Sequence, residues 1–305
     1  RLMQGHNVAS IALSPDGRTL TQADRSDIFL RETATNGERA KLTGHTSDVC
    51  AVAFSPDART LASGSMDGTV RLWGVHSGKE LGRFGKEVDP FKGGWVLAVA
   101  FSPDGRTLVS GGLNKTADVW DVSRITGRPR RSAERSPAGL ETDWRDLGGD
   151  AATAYAALGR LVSSPGSAAA FLGKHLESTT RVDAKKTERL IADLDDERFD
   201  ARAKATKELE ALGDCAAPAL RKALAGNSSA ESRRRLRALL DRLDGSSPPA
   251  ETLRQVRAVE ALESVGGPEA RRWLEKLATG PPDMRLTQEA KASLGRLAKR
   301  ATPEP

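Results

Sequence analysis

A nine-residue phrase occurs three times in the first third of the chain. Ala12-Leu13-Ser14-Pro15-Asp16-Gly17-Arg18-Thr19-Leu20 matches Ala53-Phe54-Ser55-Pro56-Asp57-Ala58-Arg59-Thr60-Leu61 and Ala100-Phe101-Ser102-Pro103-Asp104-Gly105-Arg106-Thr107-Leu108. The three serines stand 41 and then 47 residues apart. In the second copy the alternating stretch from Val49 to Phe54 runs into a turn where Pro56 presets φ and Asp57 can bond its own backbone. A second strand follows from Leu61 to Ser65, then a tight turn at Met66-Asp67-Gly68. A third, Thr69 to Trp73, alternates as a half-buried strand does. Self-similarity at this spacing marks a repeat architecture.

These units resemble the WD-repeat β-propeller family, whose repeats are four-stranded antiparallel blades around a central channel. The second unit carries most of the likeness, with Gly44-His45 ahead of its first strand and Trp73 ending its third. Family blades often hold a buried tetrad of His, Ser or Thr, Asp and Trp, which the resemblance assigns to His45, Ser63, Asp67 and Trp73. A buried indole N–H and a buried imidazole both need partners, so the tetrad implies a structural staple rather than a catalytic group. The third unit keeps Ser110 and Trp120-Asp121 but has Asn114 where Asp is expected and lacks Gly-His. The first keeps Gly5-His6 but has Arg31 in place of Trp, so its blade is expected to be the least well pinned. Residues 1–122 are thus expected to form a partial propeller of about three blades. Propellers close with about four to eight blades, and closure hides the blade flanks. The expectation is a fragment preceded by further blades upstream of Arg1; the alternative is completion by another chain.

The longer second spacing comes from an insertion running from Phe84 to Trp95. Family precedent places this loop on a propeller rim, where Phe84, Phe91, Lys92 and Trp95 are candidates for binding a protein partner. In the competing reading Trp95 tucks under its blade and fills the space of the absent His.

Beyond Val122 the composition changes. Residues 123–139 are rich in Arg, Ser, Pro and Gly without periodicity and read as a flexible linker. Residues 1–122 balance 14 Lys+Arg against 14 Asp+Glu, so much of the net charge of +6 sits in this short stretch. Its arginines, Arg124, Arg128, Arg130, Arg131 and Arg135, are candidates for nucleic-acid contact through counterion release; the plainer reading is a solvated tether.

Residues 140–305 have a helical period. Asp150 suits an N-cap for a helix from Ala151 to Val162, and Pro165 suits the start of the next. Leu190, Ile191 and Leu194 form one apolar stripe. Phe199, Ala203, Thr206, Leu209 and Leu212 form another, and Leu236, Leu239, Leu240 and Leu243 a third. Ala205, Leu209, Glu210 and Gly213 recur as Ala258, Leu262, Glu263 and Gly266 at an offset of 53 residues. This skeleton is similar to HEAT-like helical repeats, which bury their apolar faces by stacking. Arg202 and Arg257, near the starts of the two Gly-terminated helices, read as solvated. The order of modules resembles bacterial WD-repeat proteins with a helical extension.

No sequence pattern supplies a nucleophile with its base, a phosphate cradle or a calcium loop. The aspartates at 193, 195, 196 and 200 suit helix capping. The four histidines have no neighbouring ligand cluster, so neither metal nor cofactor is expected. The two cysteines, Cys50 and Cys215, lie far apart and suit a reducing, cytoplasmic setting. The expected class is a non-enzymatic scaffold that binds protein partners through blades and helices. The alternatives are a nucleic-acid-associated protein acting through its linker, or the regulatory tail of a larger enzyme, such as a kinase with its catalytic domain upstream.

Overall fold

The computed structural model describes residues 8–88, 93–113, 115–125, 134–180, 184–212, 215–226, 229–243, 248–282 and 284–301. Its strands fall into three antiparallel sheets, each a meander in chain order. The first holds β1 (Val8–Leu13), β2 (Thr19–Asp24), β3 (Asp27–Glu32) and β4 (Glu38–Leu42). The second holds β5 (Val49–Phe54), β6 (Thr60–Ser65), β7 (Thr69–Gly74) and β8 (Glu80–Gly85). The third holds β9 (Val96–Phe101), β10 (Thr107–Gly112) and β11 (Ala117–Asp121), three-stranded among the described residues.

The repeated phrase builds the same first turn each time. Ser14 donates its hydroxyl to Asp16 Oδ1 at 2.5 Å, Ser55 to Asp57 at 2.6 Å, and Ser102 to Asp104 at 2.6 Å. Each serine oxygen also accepts the N–H that opens the next strand, from Thr19, Thr60 or Thr107. The residue after Asp lies in the left-handed region, as Gly17 (φ 73°), Ala58 (φ 59°) and Gly105 (φ 69°). Glycine takes that conformation freely, whereas Ala58 does so at a steric cost to its Cβ.

Strand register sorts each sheet into two faces. The rows Ala12–Thr21–Leu30, Ala53–Ala62–Leu72 and Ala100–Val109–Val119 lie on one face of the successive sheets. The rows Leu13–Leu20–Arg31, Phe54–Leu61–Trp73 and Phe101–Leu108–Trp120 lie on the other. Ala12 and Leu30 pack into one core with Phe54, Leu61 and Trp73. Ala62 and Leu72 pack into the next with Phe101, Leu108 and Trp120. The second sheet is therefore covered on both faces. Every residue of β6 and β7 is buried, not every other one as the sequence pattern implied.

The first sheet has a fastener of its own. Arg39 and Glu32 pair at 3.3 Å with both side chains buried, and Arg39 also donates to Thr19 Oγ1 at 3.0 Å.

The helices are α1 (Pro137–Leu147), α2 (Ala151–Val162), α3 (Pro165–Thr180), α4 (Ala184–Asp193), α5 (Phe199–Leu212), α6 (Ala217–Ala225), α7 (Ala230–Leu243), α8 (Ala250–Val265), α9 (Gly267–Leu277) and α10 (Arg285–Ala301). Helix α1 opens ahead of the onset expected at 140, because Ser136 Oγ accepts the Gly139 N–H and Pro137 suits the first turn. Asp150 Oδ1 accepts the Thr153 N–H at 2.7 Å and caps α2. Leu190, Leu194, Leu209, Leu220, Leu236 and Leu240 from α4 to α7 form one core, while α8 packs on α1, α3 and α9. Phe199 departs from the apolar stripe expected of it. It is 69% exposed, at the first residue of α5, with the Arg202 guanidinium over its ring.

The described residues divide into two compact units. One comprises the sheets with Asp150–Gly159; the other comprises the remaining helices up to Lys299. Within the first unit the Tyr155 ring is buried in the core that holds Leu42, Trp73 and Val75, and its hydroxyl donates to the Val75 carbonyl. Within the second, Arg257 is not solvated. It is buried and donates Nη1 to the carbonyls of Leu147 at 2.7 Å and Gly149 at 2.8 Å, satisfying the C-terminal end of α1. Arg202 is half-buried and donates Nη1 to the carbonyls of Asp196 and Glu197 in the turn before α5, both at 2.7 Å.

Candidate functional site

The second blade brings His45, Ser63, Asp67 and Trp73 together. Trp73 Nε1 donates to Ser63 Oγ at 2.8 Å, and Ser63 Oγ lies 2.7 Å from His45 Nε2. His45 Nδ1 lies 2.8 Å from Asp67 Oδ2. A neutral imidazole with its proton on Nδ1 satisfies the whole chain: indole to hydroxyl, hydroxyl to Nε2, Nδ1–H to carboxylate. The tautomer is assigned from this network. Asp67 also accepts the Thr46 N–H at 3.0 Å, the Thr69 N–H at 2.9 Å and the Thr69 hydroxyl at 2.7 Å. Burial by itself raises the Asp67 pKa. The hydrogen bonds from His45, Thr69 and Thr46 outweigh it and hold the carboxyl well below the usual carboxylate range. Every polar atom of the set has a partner inside the protein, so the tetrad acts as a clamp between strands.

The other two blades hold remnants. In the third, Trp120 Nε1 donates to Ser110 Oγ at 2.9 Å. Asn114 lies outside the described residues. In the first, Arg31 faces Leu20 where the second blade pairs Trp73 with Leu61. Gln22 occupies the register position of Ser63 and Ser110, facing Ile11 as they face Val52 and Val99. Its side chain is buried with no hydrogen-bond partner at the amide nitrogen. Gly5 and His6 lie outside the described residues.

The rim candidates separate by environment. Phe84 is not displayed: its ring stacks on Trp120 with centroids 5.1 Å apart and packs on the core between the second and third blades. Trp95 is half-buried and anchored through its carbonyl, which accepts the Leu113 N–H at 3.1 Å. It borders a cleft of about 230 Å³ together with Lys86, Val88, Ser110 and Trp120. Phe91 and Lys92 lie outside the described residues. Of the linker arginines, Arg124 is exposed, while Arg135 donates Nη2 to the buried Asp143 at 3.1 Å and is committed to the helical unit. Arg128, Arg130 and Arg131 lie outside the described residues.

Other reactive groups are quiet. Burial, followed by the charge of Asp48, pushes the Cys50 thiol up and away from thiolate chemistry. Among the described residues no three His, Cys, Asp or Glu side chains converge as a metal site would require. No described helix is long and apolar enough to cross a membrane.

Residues 37–74 and 85–121 match the family described as WD domain, G-beta repeat. Each match ends at the third strand of a blade, and the first begins just before β4 of the preceding one. A relative, the target of rapamycin complex subunit wat1 of Schizosaccharomyces pombe (strain 972 / ATCC 24843), is 35% identical over 72 residues. The match covers 23% of this chain and 23% of that protein, so the likeness spans under a quarter of the relative's length. The N-terminal region of this chain is built of WD40 repeats and is followed by a helical region.

Proposed function

We propose that this chain is a non-enzymatic scaffold that holds protein partners on its WD40 blades, with the helices providing a second surface. The observation that carries this reading is the insertion between β8 and β9. It leaves the clamped second blade, returns at Trp95, and leaves Val88 exposed beside the cleft. Val88 and Trp95, each close to the end of a strand, offer surface at little ordering cost on binding, the usual arrangement at contact sites. Phe91 and Lys92 belong to the same loop and to the same proposed surface. The fission-yeast relative is, by its name, a subunit of a complex, which accords with a role in assembly.

The test is quantitative affinity capture with the wild-type chain and a variant in which Val88, Phe91 and Trp95 are replaced by Ser, with Phe84 retained to preserve the core. Loss of a central contact residue typically weakens a complex by about 2 kcal/mol, or roughly 30-fold. Partners recovered by the wild type and lost by a variant of unchanged melting temperature support the reading. Equal recovery overturns it.

A further inference from the structure

Helix α7 carries a basic depression that no contact among the described residues neutralises. Leu236, Leu239 and Leu240 turn one face of the helix into the core it shares with α4, α5 and α6. On the exposed face Ala230, Arg233, Arg234, Arg237, Ala238 and Asp241 recur at steps of three and four residues and line a depression of about 410 Å³. The alanines are short and leave space between the arginine stems. The other two arginines of the helix are committed: Arg235 pairs with Glu231 at 2.6 Å, and Arg242 with Glu210 of α5. Arg233, Arg234 and Arg237 have no carboxylate partner among the described residues, and Asp241, one turn beyond Arg237, forms no ion pair with it. Like charges one turn apart oppose helix formation, so Arg233 and Arg234 both repel Arg237, and an anion in the depression relieves that repulsion. The helix that carries them is held at both ends. Ser229 Oγ accepts the Ser232 N–H at 3.0 Å and donates to Asp195 at 2.6 Å, while Arg242 ties the far end to α5.

We infer that this depression holds a phosphorylated side chain of a protein partner, gripped by Arg233, Arg234 and Arg237. Charge selects the occupant. Three guanidinium groups and the Asp241 carboxylate leave the depression with a net +2, and a phosphorylated side chain carries about −1.5 to −2 at neutral pH. A single Asp or Glu of a partner supplies half of that. The planar forks of arginine match phosphate oxygens two at a time, the usual means by which arginine clusters read phosphorylated segments. Nucleic acid fits less well. The three cations lie within about 6 Å along the helix axis, short of the track needed for about six to ten phosphate contacts. Asp241 closes one end, and no described aromatic side chain lines the depression for a base to stack on. The inference rests on the scaffold reading, in which the helices provide a second surface, and names what that surface takes.

The experiment measures retention of degenerate peptide libraries on the immobilised full 305-residue chain. The libraries share randomised flanks and differ in one fixed central residue: phosphoserine, serine or glutamate. The phosphoserine library is expected to be retained ~10-fold above the serine library. A chain with Arg233→Gln, Arg234→Gln and Arg237→Gln, all at exposed positions and checked by circular dichroism, is expected to fall to the serine level. Asp241→Asn removes the one negative charge of the depression and is expected to raise phosphopeptide retention about threefold, a gain that a merely structural role does not produce. Equal retention of the phosphoserine and serine libraries overturns the inference, as does retention that the arginine substitutions leave unchanged. Equal retention of the glutamate library overturns it in favour of an acidic segment. A duplex of about 20 base pairs held through these arginines, with no phosphopeptide retained, overturns it in favour of nucleic acid. Any of these results with capture through Val88, Phe91 and Trp95 intact removes this inference alone. Phosphopeptide retention with that capture lost removes the rim reading alone.

Discussion

The indole N–H of Trp73 reaches the Ser63 hydroxyl at 2.8 Å across neighbouring strands, with both side chains out of contact with water. Ser63→Ala strands the indole donor and the His45 Nε2 acceptor together, and a buried polar group without a partner costs about 1–3 kcal/mol. We expect a loss of about 2–4 kcal/mol in urea unfolding followed by tryptophan fluorescence. Adding Trp73→Phe removes the donor as well, so the double variant is expected to lose less than the two single losses added together.

Acid should loosen the same clamp. The folded protein holds the Asp67 pKa well below the ordinary carboxylate value, so the unfolded chain takes up the proton first as pH falls. The contribution of Asp67 is therefore complete above about pH 4 and declines as pH drops toward the folded value. Melting temperatures measured from pH 7 down to pH 3 should fall more steeply for the wild type than for Asp67→Asn, which starts lower. Parallel curves would remove Asp67 as the source of the acid sensitivity.

The buried pair of Arg39 and Glu32 in the first blade gives a different signature. Arg39→Met alone leaves a carboxylate in the interior and is expected to cost about 3–5 kcal/mol. Converting Glu32 to Leu in the same chain removes the stranded charge and should recover most of that loss. A double-mutant cycle from denaturant unfolding measures the coupling, and additive losses would count against a buried pair.

Much of the blade architecture was legible because it is local. The Ser-Pro-Asp turns and the strands from Val49 to Trp73 follow from spacing within about forty residues, whereas the tetrad residues came from the resemblance to WD-repeat blades. Partnerships set by packing were not legible. Glu32 and Arg39 are ordinary strand residues in the sequence, and nothing in their spacing announces a shared interior. Arg257 looked solvated because arginine usually is; its partners are carbonyls more than a hundred residues away, and backbone carbonyls leave no trace in sequence. Phe84 looked like a rim aromatic because Trp120, the ring it stacks on, belongs to the next repeat. A loop of aromatics and a core contact between blades have the same composition, and only register separates them.

Replacing Arg257 tests the helical unit by itself. Arg257→Met keeps the length of the stem and leaves the Leu147 and Gly149 carbonyls without this donor. We expect a loss of about 1–3 kcal/mol in the unfolding step reported by far-ultraviolet circular dichroism. Arg257→Lys should recover only part of it, because one ammonium does not reproduce the planar fork.

Complete burial of β6 and β7 has a dynamic consequence. Their amide protons can reach deuterated solvent only when a neighbouring blade detaches or the whole array opens, whereas β11 has solvent along one flank. Native-state hydrogen exchange should therefore release labels from the two end blades first and hold those between Leu61 and Trp73 longest. The protein would lose its order from the outside inward, and the central blade would be the last part to remember the fold.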